Sequence, residues 1–493
     1  MLRTQRKTSS RSRPVRRRCR AAVCACRPDK RCIRMKERAM DVHGESLGSI
    51  RLPSTTLRRA RLSSLIGSVI EWYDFFIYGT AAALVFGHLF FPNTSPFAAT
   101  MASFGTFAVG FVARPVGGII FGHFGDRLGR KTVLVATLGI MGLSTCLVGL
   151  LPTYATIGIW APVLLTLLRL VQGIALGGEW GGAVLMVVEH APAHRRGWHS
   201  AWPQMGVPVG LLLSTGVITL VAALSGSEFE SWGWRVPFVL SIVLVAVGLF
   251  IRIAVEETPV FAAIERKKQV ARFPVVEVFR RKKKRILIAI GARFAENGSF
   301  FIFSVFSLSY ATQYLHVPRG VILGAVVLGA LATTVTIPLF GLLTDRFGRR
   351  PIFIGGSLFT LVFAFPFFLL LRTGEPMMVA LALVLALAIG WAAMYAPQAA
   401  YFAELFEPQV RYSGMSIGAQ LVAIVAGGPS PLIATAGLAW SGGEPWPISL
   451  WLMLVSTITF VTLLVAPETA GCHLGTDDDA ARRVPLAAGG ASD

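Results

Sequence analysis

Charge and cysteine are both scarce in this chain. Charged residues make up only 15% of the 493 positions, against roughly 25% in soluble domains, so a solvated surface on every side is excluded. Six cysteines are present, and four of them (Cys19, Cys24, Cys26, Cys32) crowd the N-terminus without the paired C-x₂-C spacing of a zinc site. Cys146 and Cys472 are too few for a disulfide framework. No nucleophile–base pair, metal cluster or cofactor motif appears, and the eight histidines are scattered, which argues against an enzyme, a metal or a cofactor. The G-x-x-x-x-G-K-[ST] spacing is also missing, so no loop cradles a nucleotide and a primary pump is excluded.

What is abundant is apolar sequence. Hydrophobic residues make up 54% of the chain, with a mean hydropathy of +0.62. They come as long blocks of the length a bilayer requires, about 20 residues per helix. Twelve such blocks are predicted, at 62–86, 99–122, 132–151, 160–188, 200–224, 235–254, 286–310, 320–343, 351–371, 377–401, 412–437 and 447–466. The fold class is therefore an all-α membrane protein of twelve transmembrane helices. The loops after even-numbered spans carry Arg127, Arg130, Lys131, Arg195, Arg196, a cluster over 266–285, Arg346, Arg349, Arg350 and Arg411, whereas those after odd-numbered spans hold only Arg319 and Arg372. By the positive-inside rule both termini are cytoplasmic.

The net charge of +21 does not imply nucleic acid, because most of it sits in one place. Residues 1–39 hold fifteen Lys or Arg against Asp29 and Glu37. This stretch has no apolar core and is not a secretory signal. It reads as a disordered basic arm over 1–59 lying against anionic lipid, or as leader ahead of a true start at Met35 or Met40. The remaining domain boundaries are a bundle over 60–254, a basic linker at 255–285, a second bundle over 286–468 and a disordered tail at 469–493.

The two bundles repeat one another. Gly122-x₃-Asp126-Arg127-x-Gly129-Arg130-Lys131 recurs as Gly341-x₃-Asp345-Arg346-x-Gly348-Arg349-Arg350, at an offset of 219. Glu189 and Arg196 recur as Glu404 and Arg411 (offset 215), and Glu257-Thr258 recurs as Glu468-Thr469 (offset 211). Three matches at equivalent helix ends indicate a duplicated six-helix unit. The ten-residue pattern resembles the signature of the major facilitator superfamily. Within it, Gly67 through Phe75, Arg114-Pro115-x-Gly117-Gly118, Arg169-x₂-Gln172-Gly173-x₃-Gly177-Gly178-Glu179-Trp180-Gly181, Trp232-Gly233-Trp234-Arg235 and Ala403-Glu404-Leu405-Phe406 resemble the metabolite:proton symporter family over roughly residues 60–470.

Ionised groups inside hydrocarbon cost several kcal/mol and so face a cavity or a partner. Glu71, Asp74 and Tyr78 are spaced i, i+3, i+7 on one helix face, and Arg293 and Glu296 occupy the equivalent span of the second half. Two carboxylates one turn apart suit a proton carrier, so Glu71, Asp74 and Glu296 are the candidate proton-coupling groups. Arg114 stays charged in any environment and binds carboxylates bidentately; it is the candidate substrate anchor, with Arg293, Tyr78, Arg169 and Gln172 as further binding candidates. Glycines at 173, 177 and 181, and at 206 and 210, read as stripes where helices touch and slide.

The resemblance implies the major facilitator fold, two pseudo-symmetric six-helix bundles, with both charged pairs facing a central solute path. It also implies a gating latch of Gly122, Asp126, Arg130, Glu189, Arg196, Asp345, Arg349, Glu404, Arg411 and Glu468, each exposed pair contributing under about 1 kcal/mol. The expected function is proton-coupled symport of a small organic anion by alternating access. The protein is expected to be a monomer in the lipid bilayer of a bacterial inner or plasma membrane, without nucleic acid. A zwitterionic osmolyte such as proline or betaine is the alternative solute, although the osmolyte branch carries a C-terminal coiled-coil extension and the last 25 residues here lack heptads. A transport-dead sensor is the remote alternative.

Overall fold

Each apolar block forms one long helix, since hydrocarbon leaves backbone polar groups no partner except one another. The computed structural model describes residues 54–253, 280, 282–408, 410–472 and 474, and no strand occurs among them. The helices are α1 Ser54–Leu84, α2 Pro96–Leu128, α3 Arg130–Leu150, α4 Trp160–Val188, α5 Ala193–Phe229 and α6 Arg235–Ile253. The second half follows with α7 Lys283–Gln313, α8 Arg319–Phe347, α9 Arg349–Arg372, α10 Pro376–Leu405, α11 Arg411–Trp440 and α12 Trp446–Val465. Eleven of these are long and apolar enough to cross a membrane. The twelfth, α1, carries Arg58, Arg59, Arg61, Glu71 and Asp74 along its length.

Three expected boundaries shift. Helix α1 begins at Ser54, inside the stretch assigned to the basic arm, because helical hydrogen bonding continues past the apolar run into charged flanking residues. Helices α2 and α8 run four to six residues beyond their apolar ends, so the repeated motif is a last helical turn, a break and a new first turn. The break in each copy is a glycine with positive φ, 100° at Gly129 and 95° at Gly348, a conformation that costs a residue with a Cβ. The remainder of the arm, most of the 255–285 linker and residues beyond 474 lie outside the described residues.

Packing repeats across the halves at a spacing of six helices. In the first half α1 packs on α5, α2 on α4 and α3 on α6; in the second α7 packs on α11, α8 on α10 and α9 on α12. The halves meet through equivalent pairs, α2 with α11 and α8 with α5. Glycines set the closest approaches: an ideal Cβ on Gly117 would lie 1.8 Å from the Ile174 carbonyl oxygen, and one on Gly177 2.0 Å from that of Arg114. The stripe read at Gly173 and Gly177 is therefore the seat of α2, whereas Gly181 faces Ser416 of α11, and Gly206 and Gly210 face Ser68 and Trp72 of α1. In the second half α7, α10 and α11 each widen into a π-helical stretch, at Ile302–Phe306, Leu385–Trp391 and Ala423–Gly427.

Substitution of Gly177 by Val forces α2 and α4 apart and costs about 1–3 kcal/mol. It is expected to lower the thermal midpoint of the purified protein in detergent, while Gly105→Ala, whose Cβ meets nothing within 4 Å, leaves it unchanged. Equal midpoints for the two variants would contradict the helix contact described here.

Candidate functional site

Halfway along the helices lies a layer of charge with almost no solvent contact. Glu71 is 2% exposed, Asp74 1%, Arg114 5%, Arg169 3%, Arg293 6% and Glu296 5%. Such groups must be matched by one another, and the matching differs between the halves. In the second half, Glu296 accepts from Arg293 Nε at 3.1 Å, Asn297 Nδ2 at 2.7 Å and Gln398 Nε2 at 3.3 Å. The repeat-equivalent acids in α1 have no such arginine bond. Asp74 Oδ2 accepts from Thr145 Oγ1 at 3.0 Å, and its Oδ1 has no hydrogen-bond partner. Thr145 in turn accepts from Gln172 Nε2 at 2.9 Å, and Gln172 Oε1 from Arg169 Nη1 at 3.1 Å. Asp74 thus has its hydrogen bond from α3, inside its own half. Tyr78 donates to Thr106 Oγ1 at 2.8 Å and lies in the same half.

Arg114 is the group left over. Its Nε and Nη2 are buried without hydrogen-bond partners, and its guanidinium lies 4.2 Å from the ring centre of Phe111 and 4.8 Å from that of Phe75. Glu71, Arg169, Arg293 and Glu296 are its charged neighbours. Arg169 is likewise wrapped by rings, 4.2 Å from Tyr78, 4.8 Å from Phe75 and 4.9 Å from Phe107. The continuous helix through Pro115 keeps Arg114 on the face toward α1 and α7.

An aromatic layer closes the site on one side. Phe75, Phe107, Phe111 and Phe301 form a mutual cluster with ring centres 4.9–6.3 Å apart. Trp72 and Phe76 of α1 meet Phe300 of α7, which lies 4.6 Å from Trp391. The rings thus join the two halves one turn away from the charges.

A second layer closes the opposite side, at the far ends of α2, α4, α8 and α10. Here the sequence repeat becomes an exchange of partners. Arg196 bonds Glu404 at 2.9 Å and Arg411 bonds Glu189 at 3.2 Å, so each arginine pairs with the acid of the other half and not with the acid seven residues before it. Asp345 accepts from the backbone N–H of Gly197 and Trp198, both at 2.8 Å, and Asp126 from Ser413 N at 3.0 Å. Each aspartate therefore meets the first turn of a helix in the opposite half, where the unpaired N–H groups and the dipole favour an anion. Gly122 and Gly341 permit that approach, since a Cβ there would stand 3.1 Å from Ser413 Cα and 2.8 Å from the Gly197 carbonyl oxygen. Arg130 lies 3.5 Å from Asp126, and Arg349 2.7 Å from Asp345 and 3.2 Å from Glu404. Glu468 accepts from the N–H groups of Arg349 and Arg350, both at 3.0 Å. The start of the expected tail belongs to this layer, for Thr469 Oγ1 donates to Glu404 at 2.8 Å and Arg196 to the Cys472 carbonyl at 2.8 Å.

Comparison with known proteins agrees with this architecture. The profile of the Major Facilitator Superfamily matches residues 64–428 and 288–487. The chain belongs to that superfamily. It is 42% identical to the shikimate transporter of Escherichia coli (strain K12) over 415 residues, covering 84% of this chain and 95% of the relative. The inner membrane metabolite transport protein YhjE of the same organism is 40% identical, with 85% and 96% covered, and the proline/betaine transporter of Salmonella typhimurium is 35% identical, with 84% of each covered. Among solved structures, the proton:xylose symporter XylE bound to 6-bromo-6-deoxy-D-glucose aligns with a TM-score of 0.64 at 18% identity, covering 85% of this chain and 97% of that one. A partially occluded inward-open XylE from E. coli also scores 0.64, with 84% and 99% covered. As a member of this family the chain is a membrane transporter and not an enzyme.

Several contacts of the transporter were not read from the sequence. Gln204 of α5 accepts from Trp180 Nε1 and donates to the Tyr395 carbonyl, both at 2.9 Å, and so joins the halves in mid-membrane. Tyr412 donates to the Gly178 carbonyl at 2.6 Å and Gln420 to that of Gly177 at 3.3 Å. The paired glycines were the one signal for these bonds, since only a bare backbone lets a side chain from the other half reach a carbonyl. The latch energies also change. These side chains are 0–4% exposed in the two exchanged pairs, so the surface value does not apply, and removing one partner leaves a buried charge worth about 3–5 kcal/mol.

Arg196→Gln and Arg411→Gln are each expected to open this end. A cysteine placed at buried Ser413 reports it by alkylation, which speeds up roughly tenfold or more for a loss above 1.4 kcal/mol. Unaltered alkylation in both single variants would mean that the exchanged pairs do not hold the halves together.

Proposed function

We propose that this transporter carries a small organic acid together with a proton, by secondary active symport, across a bacterial inner membrane. The observation that carries this reading is the balance of charge in the buried layer. Three guanidinium groups (Arg114, Arg169, Arg293) share this layer with three carboxylates (Glu71, Asp74, Glu296), all nearly shut off from solvent. A proton added to one carboxylate leaves the layer one positive charge in excess, and a solute carboxylate cancels it. Either ion alone leaves an unmatched charge in a low-dielectric interior, at a cost of several kcal/mol, so the two travel together.

Asp74 is the acid suited to take the proton, because its hydrogen bond comes from a neutral hydroxyl and its other oxygen is unengaged. Arg114 is the group suited to take the anion, because two of its nitrogens have no partner. The rings on Arg114 and Arg169 are displaced when the anion enters. Alternation follows from the two closing layers: the ring layer parts toward the periplasm, the latch toward the cytoplasm, and the charge layer is the fixed point between them. The cytoplasmic assignment of the latch, and of both termini, rests on the arginine-rich loops at that end. The 42% identity to a shikimate transporter supports a hydroxylated carboxylate as solute. The relatives that carry proline and betaine, together with the Trp72, Phe300 and Trp391 rings beside the site, favour a zwitterion as the second reading.

Reconstituted protein is expected to accumulate shikimate or another small carboxylate when an inward proton gradient is imposed, with betaine and proline as the opposing panel. Asp74→Asn abolishes uphill accumulation, and Arg114→Lys raises the half-saturating concentration about tenfold or more through loss of the bidentate bond, worth about 1.5–3 kcal/mol. Accumulation by Asp74→Asn equal to that of the unaltered protein would remove Asp74 from the proton path. Uptake of betaine but of no simple carboxylate would select the zwitterion.

A further inference from the structure

A buried ion pair in the first half lies outside everything described so far. Glu179 of α4 is fully buried and is bonded through Oε1 by Arg252 of α6, which also donates to the Leu134 carbonyl of α3 at 2.6 Å. The other oxygen of Glu179, Oε2, is buried and has no partner in hydrogen-bond geometry, the hydroxyl of Thr137 being the polar group of α3 beside the carboxylate. Gly67 makes room for the pair, since a Cβ there would stand 2.0 Å from Arg252 Nη2.

The position of Gly67 fixes where the pair stands. Ser63, Gly67 and Glu71 are spaced by four residues and share one face of α1. Arg252 therefore lies one turn, about 6 Å along the axis, from Glu71 on the side toward the latch. One turn further, Ser63, Ser64, Lys131, Leu134, Met186 and Arg252 line a cavity of about 10 Å³, room for about one water. Glu71 itself forms no hydrogen bond among the described residues, and Glu179 and Arg252 are among its charged neighbours. The groups that face Glu179 are Glu71 and Asp74 of α1, Thr137 of α3, Arg252 of α6 and Tyr412 of α11.

We infer that Glu179 is the proton-release group of the first half, receiving through Glu71 the proton that Asp74 takes up and passing it on, past its partner Arg252, to water in the cavity that Arg252 lines with Ser63, Ser64 and Lys131. The inference rests on the proton-coupled reading above. The proton passes from Asp74 to Glu71, and the O–H bond then breaks at Glu71 and forms at Glu179 Oε2. The ion pair with Arg252 loosens while Glu179 is neutral. The proton then leaves to a cavity water as hydronium, and the pair closes again. Arg252 is a positioning residue: it holds Glu179 ionised and aimed until the proton arrives. Loading at Asp74 and unloading at Glu179, which a single carboxylate would perform poorly, are thereby divided between the two.

The test uses the full chain in right-side-out membrane vesicles, with radiolabelled shikimate as probe and the lumenal pH varied at fixed external pH. Unaltered protein is expected to slow as the lumen acidifies, with up to about tenfold accumulation per pH unit for one proton. Glu179→Gln removes both the accumulation and the dependence on lumenal pH, and Glu179→Asp restores them. Glu179→Gln strands the Arg252 charge and can fail to fold, so the doubly neutral Glu179→Gln/Arg252→Gln variant is measured beside it. Failure of the double variant to accumulate while it remains monodisperse supports the relay. Accumulation by either neutral variant at the level of the unaltered protein overturns it, leaving a structural pair. Unaltered protein that responds to no proton gradient overturns the symport reading and this one with it, whereas an intact gradient response with an indifferent Glu179→Gln overturns the relay alone.

Discussion

A charge taken out of water has to be matched, and that requirement organises this protein from its middle to its latch. An apolar chain in a bilayer could dispense with ionised side chains altogether. This one keeps three arginines and three acids at mid-depth, a further Glu179–Arg252 pair beside them, and a double set of pairs where the halves meet. The paired ones are tolerated because an opposite charge lies against them, and Asp74, Arg114 and Arg169 are held instead by a hydroxyl, an amide and aromatic rings. The helices themselves hold together by close backbone contact at glycines, since lipid supplies no hydrophobic force between them.

The same requirement makes the buried layers responsive. Rings of Phe75, Phe111 and Phe301 seal the charge layer from one side, and carboxylates seated on helix N-termini seal it from the other. Neither seal is continuous covalent structure. The latch consists of bonds between halves that can be broken as a set, so its free energy enters the balance between conformations directly. The conformation described here is closed on both sides. On the proposed reading, a solute enters only where one set of contacts has been exchanged for another, and the charges at the centre make that exchange conditional on what is bound.

Pseudo-symmetry is strict at the latch and broken at the centre. Asp126 and Asp345 do the same thing, as do Glu189 and Glu404, because both copies must meet the other half at the same angle. In mid-membrane the copies diverge. Glu296 is bound by Arg293, Asn297 and Gln398, whereas Asp74 has only Thr145, and π-helical turns occur in α7, α10 and α11 but in no described helix of the first half. A fixed charge in one half and an uncommitted one in the other is the asymmetry that the proposed coupling would use.

Much of this is legible in the amino-acid order alone. The length of the apolar runs set the number of helices, because hydrocarbon thickness is a constant of the bilayer. The repeated Gly-x₃-Asp-Arg-x-Gly-Arg pattern revealed the duplication and picked out half of the latch residues, since the motif performs a purely local job in ending one helix, turning the chain and starting another; the Glu189/Glu404, Arg196/Arg411 and Glu257/Glu468 repeats supplied the rest. The intramembrane charges were found because hydropathy makes them conspicuous. Tertiary structure alone decided their partners. That Arg196 reaches Glu404 across 208 positions and not Glu189 at seven, that Asp74 takes its hydrogen bond inside its own half, and that Gly67 opens a seat for Arg252 all depend on which helix faces which. Periodicity assigns a residue to a face of its own helix, but the neighbour across that face is set by packing between distant segments.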